Sequence, residues 1–284
     1  MLFEQLDRLL DKTVVFGYDR IGYLTRRAFW NPADTDVDLT GRVCLVTGAN
    51  SGLGRATAEG LAARGAQTHL VCRNAASGEQ ARMEIRTATG NPDVHLHLVD
   101  LSQQRAIRDF CDAFARRQSR LDVLINNAGL LLNEREVSPD GIEMSLAVNV
   151  LAGHMLIGLL LPLLKNAPQA RVVNVSSGGM YAVGLRTQDR QYEQEPYDGV
   201  RAYAHTKRAQ VVLTELYADH PGTEGILFFS MHPGWADTAG VQRSLPTFRM
   251  LTRPILRTAE QGADTILWLA VHRGLAKRHN GTFW

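Results

Sequence analysis

The segment RVCLVTGANSGLGR, residues 42–55, decides the fold. An apolar run of strand-forming residues (42–47) stops at a turn containing Gly48, Gly52 and Gly54, and an apolar-periodic helical pattern follows directly. Glycine belongs where the backbone must turn tightly and approach a phosphate, because a Cβ would block the approach. The start of the next helix adds unpaired N–H groups and the positive end of its dipole. Strand, glycine turn and helix in that order form the entrance of a dinucleotide-binding βαβ unit. The spacing here is TGxxxGxG, not the commoner GxGxxG.

Outward from this unit the same rhythm repeats. Short β-rich runs recur at 67–72, 94–99, 121–126, 170–175 and 225–231. Helix-like stretches at 52–65, 79–90, 103–118, 142–164 and 201–220 separate them. Such alternation specifies βαβ units and a parallel sheet, and the nearly continuous apolar character of the strands places helices on both faces. The expected fold is therefore α/β, a single-domain, doubly wound parallel sheet of about seven strands, with GTFW (281–284) as the last. Residues 41–284 make up this domain, and residues 1–40 precede it as a partly helical N-terminal extension. Two polar or irregular stretches, 178–200 and 234–258, follow strands of the second half. They are expected as lids, because ligands of open sheets bind at the carboxyl ends of the strands.

Composition narrows the function classes. A 45% hydrophobic, 21% charged chain with a formal charge of +2 can build a large core and shows no basic block suited to nucleic acid. Three widely spaced cysteines, Cys44, Cys72 and Cys111, lack metal-ligand spacing and point to free thiols in a reducing, cytoplasmic setting. No metal site is expected, and His205 and His232 are read as structural. The apolar run 150–164 is short for a bilayer and contains His154, so a buried or interface helix is expected there. Near the N-terminus, leucines at 2, 6, 9 and 10 suggest an amphipathic helix. It could pack on the domain, on a partner or, as a peripheral contact, on a membrane surface.

The choice of dinucleotide turns on the end of the second strand. An NAD site places an acid there to hold the ribose 2′-hydroxyl, yet no Asp or Glu occurs between Glu59 and Glu79. Arg73 stands at that position and Arg55 follows the last glycine of the turn; guanidinium groups match a phosphate. The pair favours NADP(H) over NAD(H). Farther on, RAYAHTKRAQ (201–210) aims Tyr203 and Lys207 the same way, one helical turn apart. A nearby cation lowers the pKa of a phenol, and bringing it from ~10 to ~7 requires about 4 kcal/mol of differential stabilisation. Alone, such a spacing also describes an ordinary surface pair.

Together these segments resemble the short-chain dehydrogenase/reductase family. TGANSGLG matches its cofactor turn, NNAG (126–129) its sheet-stabilising motif, NVSS (174–177) its serine motif and YAHTK its active-site YxxxK. HPGW (232–235) and Thr238 are similar to the segment that closes over the nicotinamide. The motifs run in family order over residues 41–284, and the long gap between Ser177 and Tyr203 is similar to that of the retinol-dehydrogenase-like branch. The resemblance implies a Rossmann-like fold. It also implies that Tyr203 is the acid in reduction and the base in oxidation, while Lys207 bonds the nicotinamide ribose. Ser177 would hold the substrate oxygen, with Ser176 as its rival. Asn149 would hold a relay water, or else satisfy a helix kink.

The implied cofactor contacts begin with Gly48, Asn50, Ser51, Gly52, Leu53, Gly54 and Arg55 in the first turn and Arg73 after the second strand. Asp100 and Leu101 would meet the adenine, and Asn127, Ala128 and Gly129 would line the middle. Tyr203, Lys207, Pro233, Gly234 and Thr238 would surround the nicotinamide end. The expected activity is NADP(H)-dependent interconversion of a carbonyl and an alcohol on an apolar substrate of the steroid, retinoid or fatty carbonyl type. The alternative is a non-catalytic NADP(H)-binding sensor or scaffold. A homo-oligomer is expected, because helix 150–164 and the lysine-bearing helix are surfaces that family dimers use.

Overall fold

The computed structural model describes residues 10, 13–238, 242 and 246–284. Six strands form one sheet: β1 (Val43–Thr47), β2 (Gln67–Cys72), β3 (Val94–Leu98), β4 (Val123–Asn126), β5 (Arg171–Val175) and β6 (Leu227–Met231). Their spatial order is β3-β2-β1-β4-β5-β6, and every pairing is parallel. Each strand falls within a run expected from sequence. The chain order reverses between β1 and β4, which makes the carboxyl ends of that pair the crevice of a doubly wound sheet.

Among the described residues the helices, in chain order, are α1 (Val14–Tyr18), α2 (Arg20–Arg27), α3 (Gly52–Ala62), α4 (Ala75–Thr89) and α5 (Gln104–Ala115). They continue with α6 (Met144–Lys165), α7 (Gly199–Asp219), α8 (Pro246–Thr252) and α9 (Ala259–Val271). α3, α4 and α9 cover one face, where Leu61, Ile85, Ile266 and Leu269 pack with Phe229. α5 and α6 cover the other, with Phe110, Phe114, Leu156 and Leu160 around Phe228. Consecutive phenylalanines point to opposite faces because side chains alternate along a strand. This two-sided cover explains why β1, β4 and β5 are buried along their whole lengths.

Several elements depart from the expected pattern. α6 is apolar and long enough to cross a membrane by length and composition. Its Leu156, Ile157, Leu160, Leu163 and Leu164 are nevertheless buried in the core. Its helix is interrupted by a π turn at Ala147–Leu151. α9, not expected as a helix, starts at a capping box in which Thr258 and Gln261 bond each other's backbone N–H groups. The expected seventh strand is reduced to one parallel bridge between Phe283 and Ser230. The N-terminal leucines at 2, 6 and 9 lie outside the described residues. Cys44, Cys72 and Cys111 are free and buried.

The end of the sheet opposite the crevice is fixed by a buried carboxylate. Asp122 accepts from Arg42 Nη1 at 2.7 Å and the Val43 N–H at 2.9 Å, and pairs with Arg120 Nε at 3.0 Å. It aligns the starts of β1 and β4, so their far ends reach the rim in register.

Candidate active site

All six strands deliver residues to one cleft of about 1780 Å³ along their carboxyl ends. Small-molecule pockets usually measure about 300–1,000 Å³, so this cleft accommodates a dinucleotide and a second molecule. Gly48 follows β1, Arg73 β2, Asp100 and Leu101 β3, Asn127 to Gly129 β4, Ser176 and Ser177 β5, and Pro233 and Gly234 β6; all of them line it. Asn50, Ser51, Gly52, Leu53, Gly54, Tyr203, Lys207 and Thr238 line it as well.

The floor at the switch point is pinned by short hydrogen bonds. Thr47 Oγ1 accepts the N–H groups of Asn127 and Ala128 at 3.0 and 2.9 Å, and Asn127 Nδ2 donates to Thr47 O at 2.8 Å. A Cβ on Gly54 would lie 2.3 Å from Gly48 O and 2.4 Å from Asn127 Nδ2, so only glycine lets α3 begin this close to the turn. Asn50 Nδ2 donates to Ser77 Oγ at 3.2 Å, and Ser77 is in turn capped by Asn74. Asn74 and Ser77 line the cleft but were not among the expected contacts. Their signal was present in Arg-Asn opening a helix, since Asn is a strong N-cap.

Two expected site residues, Arg55 and Asn149, do not line the cleft, whereas Asp100 lines it as expected. Arg55 does not line the cleft, because its guanidinium pairs with Glu84 of α4 at 2.9 Å. Asp100 reaches the cleft with its carboxylate already accepting from Ser102 N, Ser102 Oγ and Gln103 Nε2 at 3.0, 2.8 and 3.1 Å. Burial alone would raise its pKa; the bonds from Ser102 and Gln103 and the charge of Arg73 together hold it below the ordinary carboxylate range. Asn149 sits in the π turn with its amide fully engaged. Its Oδ1 accepts from Leu130 N at 2.9 Å, and its Nδ2 donates to Leu130 O at 2.9 Å and to Thr206 Oγ1 at 3.0 Å. It thus clamps the loop after β4 to α7, behind the cleft wall.

Tyr203 and Lys207 stand one turn apart on α7, with Lys207 Nζ 5.5 Å from the centre of the Tyr203 ring. Lys207 is buried and donates to Val175 O at 2.8 Å. Burial brings its amine down to about 7. Burial raises the Tyr203 phenol above its ordinary range, against the opposing influence of the nearby Ser177 side chain. The expected lowering by the lysine is therefore not produced by the protein's own groups. Desolvation penalises the phenolate and the ammonium alike, and it outweighs their attraction. The neighbouring serines divide their work: Ser176 Oγ donates to Lys207 O at 2.8 Å, whereas Ser177 meets Tyr203.

The long stretch before α7 is an ordered loop. Asp189 accepts from Glu193 N at 2.7 Å and Glu195 N at 3.2 Å, while Arg186 pairs with Asp189 and covers the Tyr192 ring at 4.3 Å. Tyr181, Ala182, Val183, Asp198 and Val200 of this stretch reach the cleft. In the other irregular stretch, Asp237 pairs with Arg249 of α8 at 2.8 and 3.0 Å. Trp235, from the expected HPGW segment, joins these, with wall residues that had no sequence signal: Leu130, Leu131, Leu132, Met144 and, from the N-terminal segment, Tyr18.

A phosphate-type turn at one end of the crevice and a Ser–Tyr–Lys group at the other define a dinucleotide-dependent oxidoreductase class. The short chain dehydrogenase family model matches residues 42–247. The chain belongs to this family and is an oxidoreductase acting on CH–OH groups. It is 46% identical over 267 residues to human dehydrogenase/reductase SDR family member 12, covering 94% of this chain and 83% of that protein. It is 39% identical over 243 residues to human retinol dehydrogenase 12, covering 85% and 77%. Among solved structures, a short chain dehydrogenase from Escherichia coli complexed with NADPH superposes with a TM-score of 0.72 at 27% identity, covering 88% of this chain and 98% of that one. A Burkholderia cenocepacia member in complex with NADP gives 0.69 at 26%, covering 87% and 96%.

Proposed function

We propose that the protein is an NADP(H)-dependent oxidoreductase that interconverts a carbonyl and an alcohol on an apolar substrate. The observation that carries this reading is that Ser177, Tyr203 and Lys207, the last two one helical turn apart, line the same crevice that begins at the Gly48–Gly54 turn. The residues fit the dinucleotide: a Cβ would fill the cradle at Gly54, and Arg73 rather than an acid stands where β2 ends. Arg73 would hold the 2′-phosphate, and Asn74, Ser77 and the turn would receive the adjoining groups. The structural relatives bound to NADPH and NADP support this choice.

When bound, the dinucleotide supplies the hydride and, in its oxidised form, a positive charge beside the phenol. In reduction, Tyr203 donates its proton to the carbonyl oxygen while the Ser177 hydroxyl steadies the charge developing there. Because burial keeps the phenol protonated, the protein's own groups are poised for reduction at neutral pH. Lys207 lies behind the phenol, where its proton can help restore the acid. Asn149 is a positioning residue: it holds the loop after β4 and Thr206 so that Lys207 keeps its place.

Leu130, Leu131, Leu132, Met144 and Val148 line the cleft, which suits a steroid, retinoid or fatty carbonyl. Relatives that are retinol dehydrogenases support the same substrate class. The test is nicotinamide oxidation by the purified protein with a panel of apolar aldehydes and ketones, using NADPH and NADH in parallel. Turnover should favour NADPH, and Arg73→Glu should reduce the NADPH-to-NADH ratio of kcat/KM by roughly tenfold or more. An unchanged ratio would remove Arg73 from cofactor recognition. No turnover of any carbonyl would overturn the enzymatic reading.

A further inference from the structure

The N-terminal segment contributes a wall to the cleft. Tyr18, at the end of α1, is one of the lining residues. Its ring stacks on His232, with centroids 4.4 Å apart and planes inclined by 22°, and meets the Trp235 ring at 6.0 Å. Its carbonyl accepts the Trp235 N–H at 2.8 Å. Buried Arg257 then ties this segment to the loop after β6. Its Nε donates to Asp19 O at 3.1 Å, its Nη2 to Gly17 O at 3.1 Å and its Nη1 to Pro233 O at 3.2 Å.

Two glycines make room for this arrangement. A Cβ on Gly178 would fall 2.1 Å from Tyr18 Cε1. One on Gly234, where φ is +70°, would fall 2.5 Å from Tyr18 O and 2.6 Å from Arg257 Cζ. Gly178 directly follows Ser177, and Gly234 directly follows Pro233. The ring is therefore seated against the reacting end of the crevice, with its place prepared from both β5 and β6.

We infer that Tyr18 is a specificity-determining residue. Its ring forms the wall of the substrate compartment beside Ser177 and selects carbonyl compounds with a flat, apolar body over short aliphatic ones. The inference rests on the oxidoreductase reading and adds the substrate feature that this wall recognises. Tyr18, Trp235 and Tyr181 line one cleft with Leu131 and Leu132, so a flat body is received by aromatic rings and aliphatic side chains. Aromatic contact of this kind favours a ring or conjugated chain and gives a short aldehyde little to touch.

The experiment compares the parent, Tyr18→Ala and Tyr18→Phe with two carbonyls, a naphthyl ketone and a short aliphatic aldehyde, under saturating NADPH. Tyr18→Ala should raise KM for the ketone about fivefold and leave kcat, the aldehyde KM and NADPH affinity nearly unchanged. Tyr18→Phe should behave like the parent. A purely structural role would move both carbonyls by one factor, and that result, or no change for either, overturns the inference. If the parent reduces neither carbonyl, the oxidoreductase reading is judged separately by the full carbonyl panel. Equilibrium titration of the naphthyl ketone into the NADPH complex then decides. Weaker binding by Tyr18→Ala supports the wall; equal binding, or none by the parent, sinks it.

Discussion

At the residue scale the chemistry rests on a cleft-lining phenol and a buried amine that desolvation pushes in opposite directions. The phenol of Tyr203 rises and the amine of Lys207 falls to about 7. Tyr203→Phe should lower turnover by roughly a hundredfold or more while NADPH titration shows binding nearly intact, since general acid catalysis is worth about 10²–10⁴ in rate. Retained turnover would take Tyr203 out of the mechanism. Lys207 has a second, thermodynamic signature. Between about 7 and the ordinary lysine value near 10.4, the unfolded chain carries a proton that the folded chain lacks. Unfolding then takes up a proton, so stability should rise as pH increases through that window. Lys207→Met should flatten the rise in denaturant titrations across that range. An identical slope in the variant would show that the amine is not desolvated as described. The Tyr–Lys spacing was legible in the sequence, but its energetics were not, because desolvation depends on neighbours that only the fold supplies.

Elements were legible where their periodicity was strong. The six strands fall inside the expected runs because apolar residues dominate them: β1, β4 and β5 are buried along their whole lengths, while edge strand β3 keeps Val94 buried and Leu98 exposed. The π turn in α6 left no such trace, since its cause is tertiary: Asn149 bonds Leu130 across to the loop after β4. Arg55 shows the same limit, for its spacing fits a phosphate contact while Glu84, remote in sequence but on the neighbouring helix α4, claims it. α9 was missed although its cap is written plainly as Thr-Ala-Glu-Gln (258–261). Thr258→Ala should cost about 1 kcal/mol of unfolding free energy, read from the denaturation midpoint, because it frees the Gln261 N–H. Asp122→Ala should cost more, roughly 2–3 kcal/mol, since it strands the Val43 N–H at the buried start of β1. Equal losses for the two variants would contradict the assignment of Asp122 as the anchor of the strand pair.

Across the whole molecule, the rim carries chemistry and the flanks carry stability. On β2 and β3, His69 stacks with both His95 and His97, at centroid separations of 4.9 and 5.1 Å, and Phe110 and Phe114 of α5 pack on His97 and His69. Burial pushes His69 down to about 3 and His97 to about 4. Below the ordinary value near 6.5, the unfolded chain therefore binds protons that the folded one refuses, and stability should fall as pH drops from there to about 4. His97→Phe keeps a ring at this position and should move the acid-unfolding midpoint, followed by far-UV circular dichroism, to lower pH. An unmoved midpoint would place the acid sensitivity elsewhere. At the opposite rim, Arg257 grips Gly17, Asp19 and Pro233 with one guanidinium. Mechanically, that grip turns the leading end of the chain into a lever: tension applied ahead of Thr13 is delivered to the mouth next to Ser177.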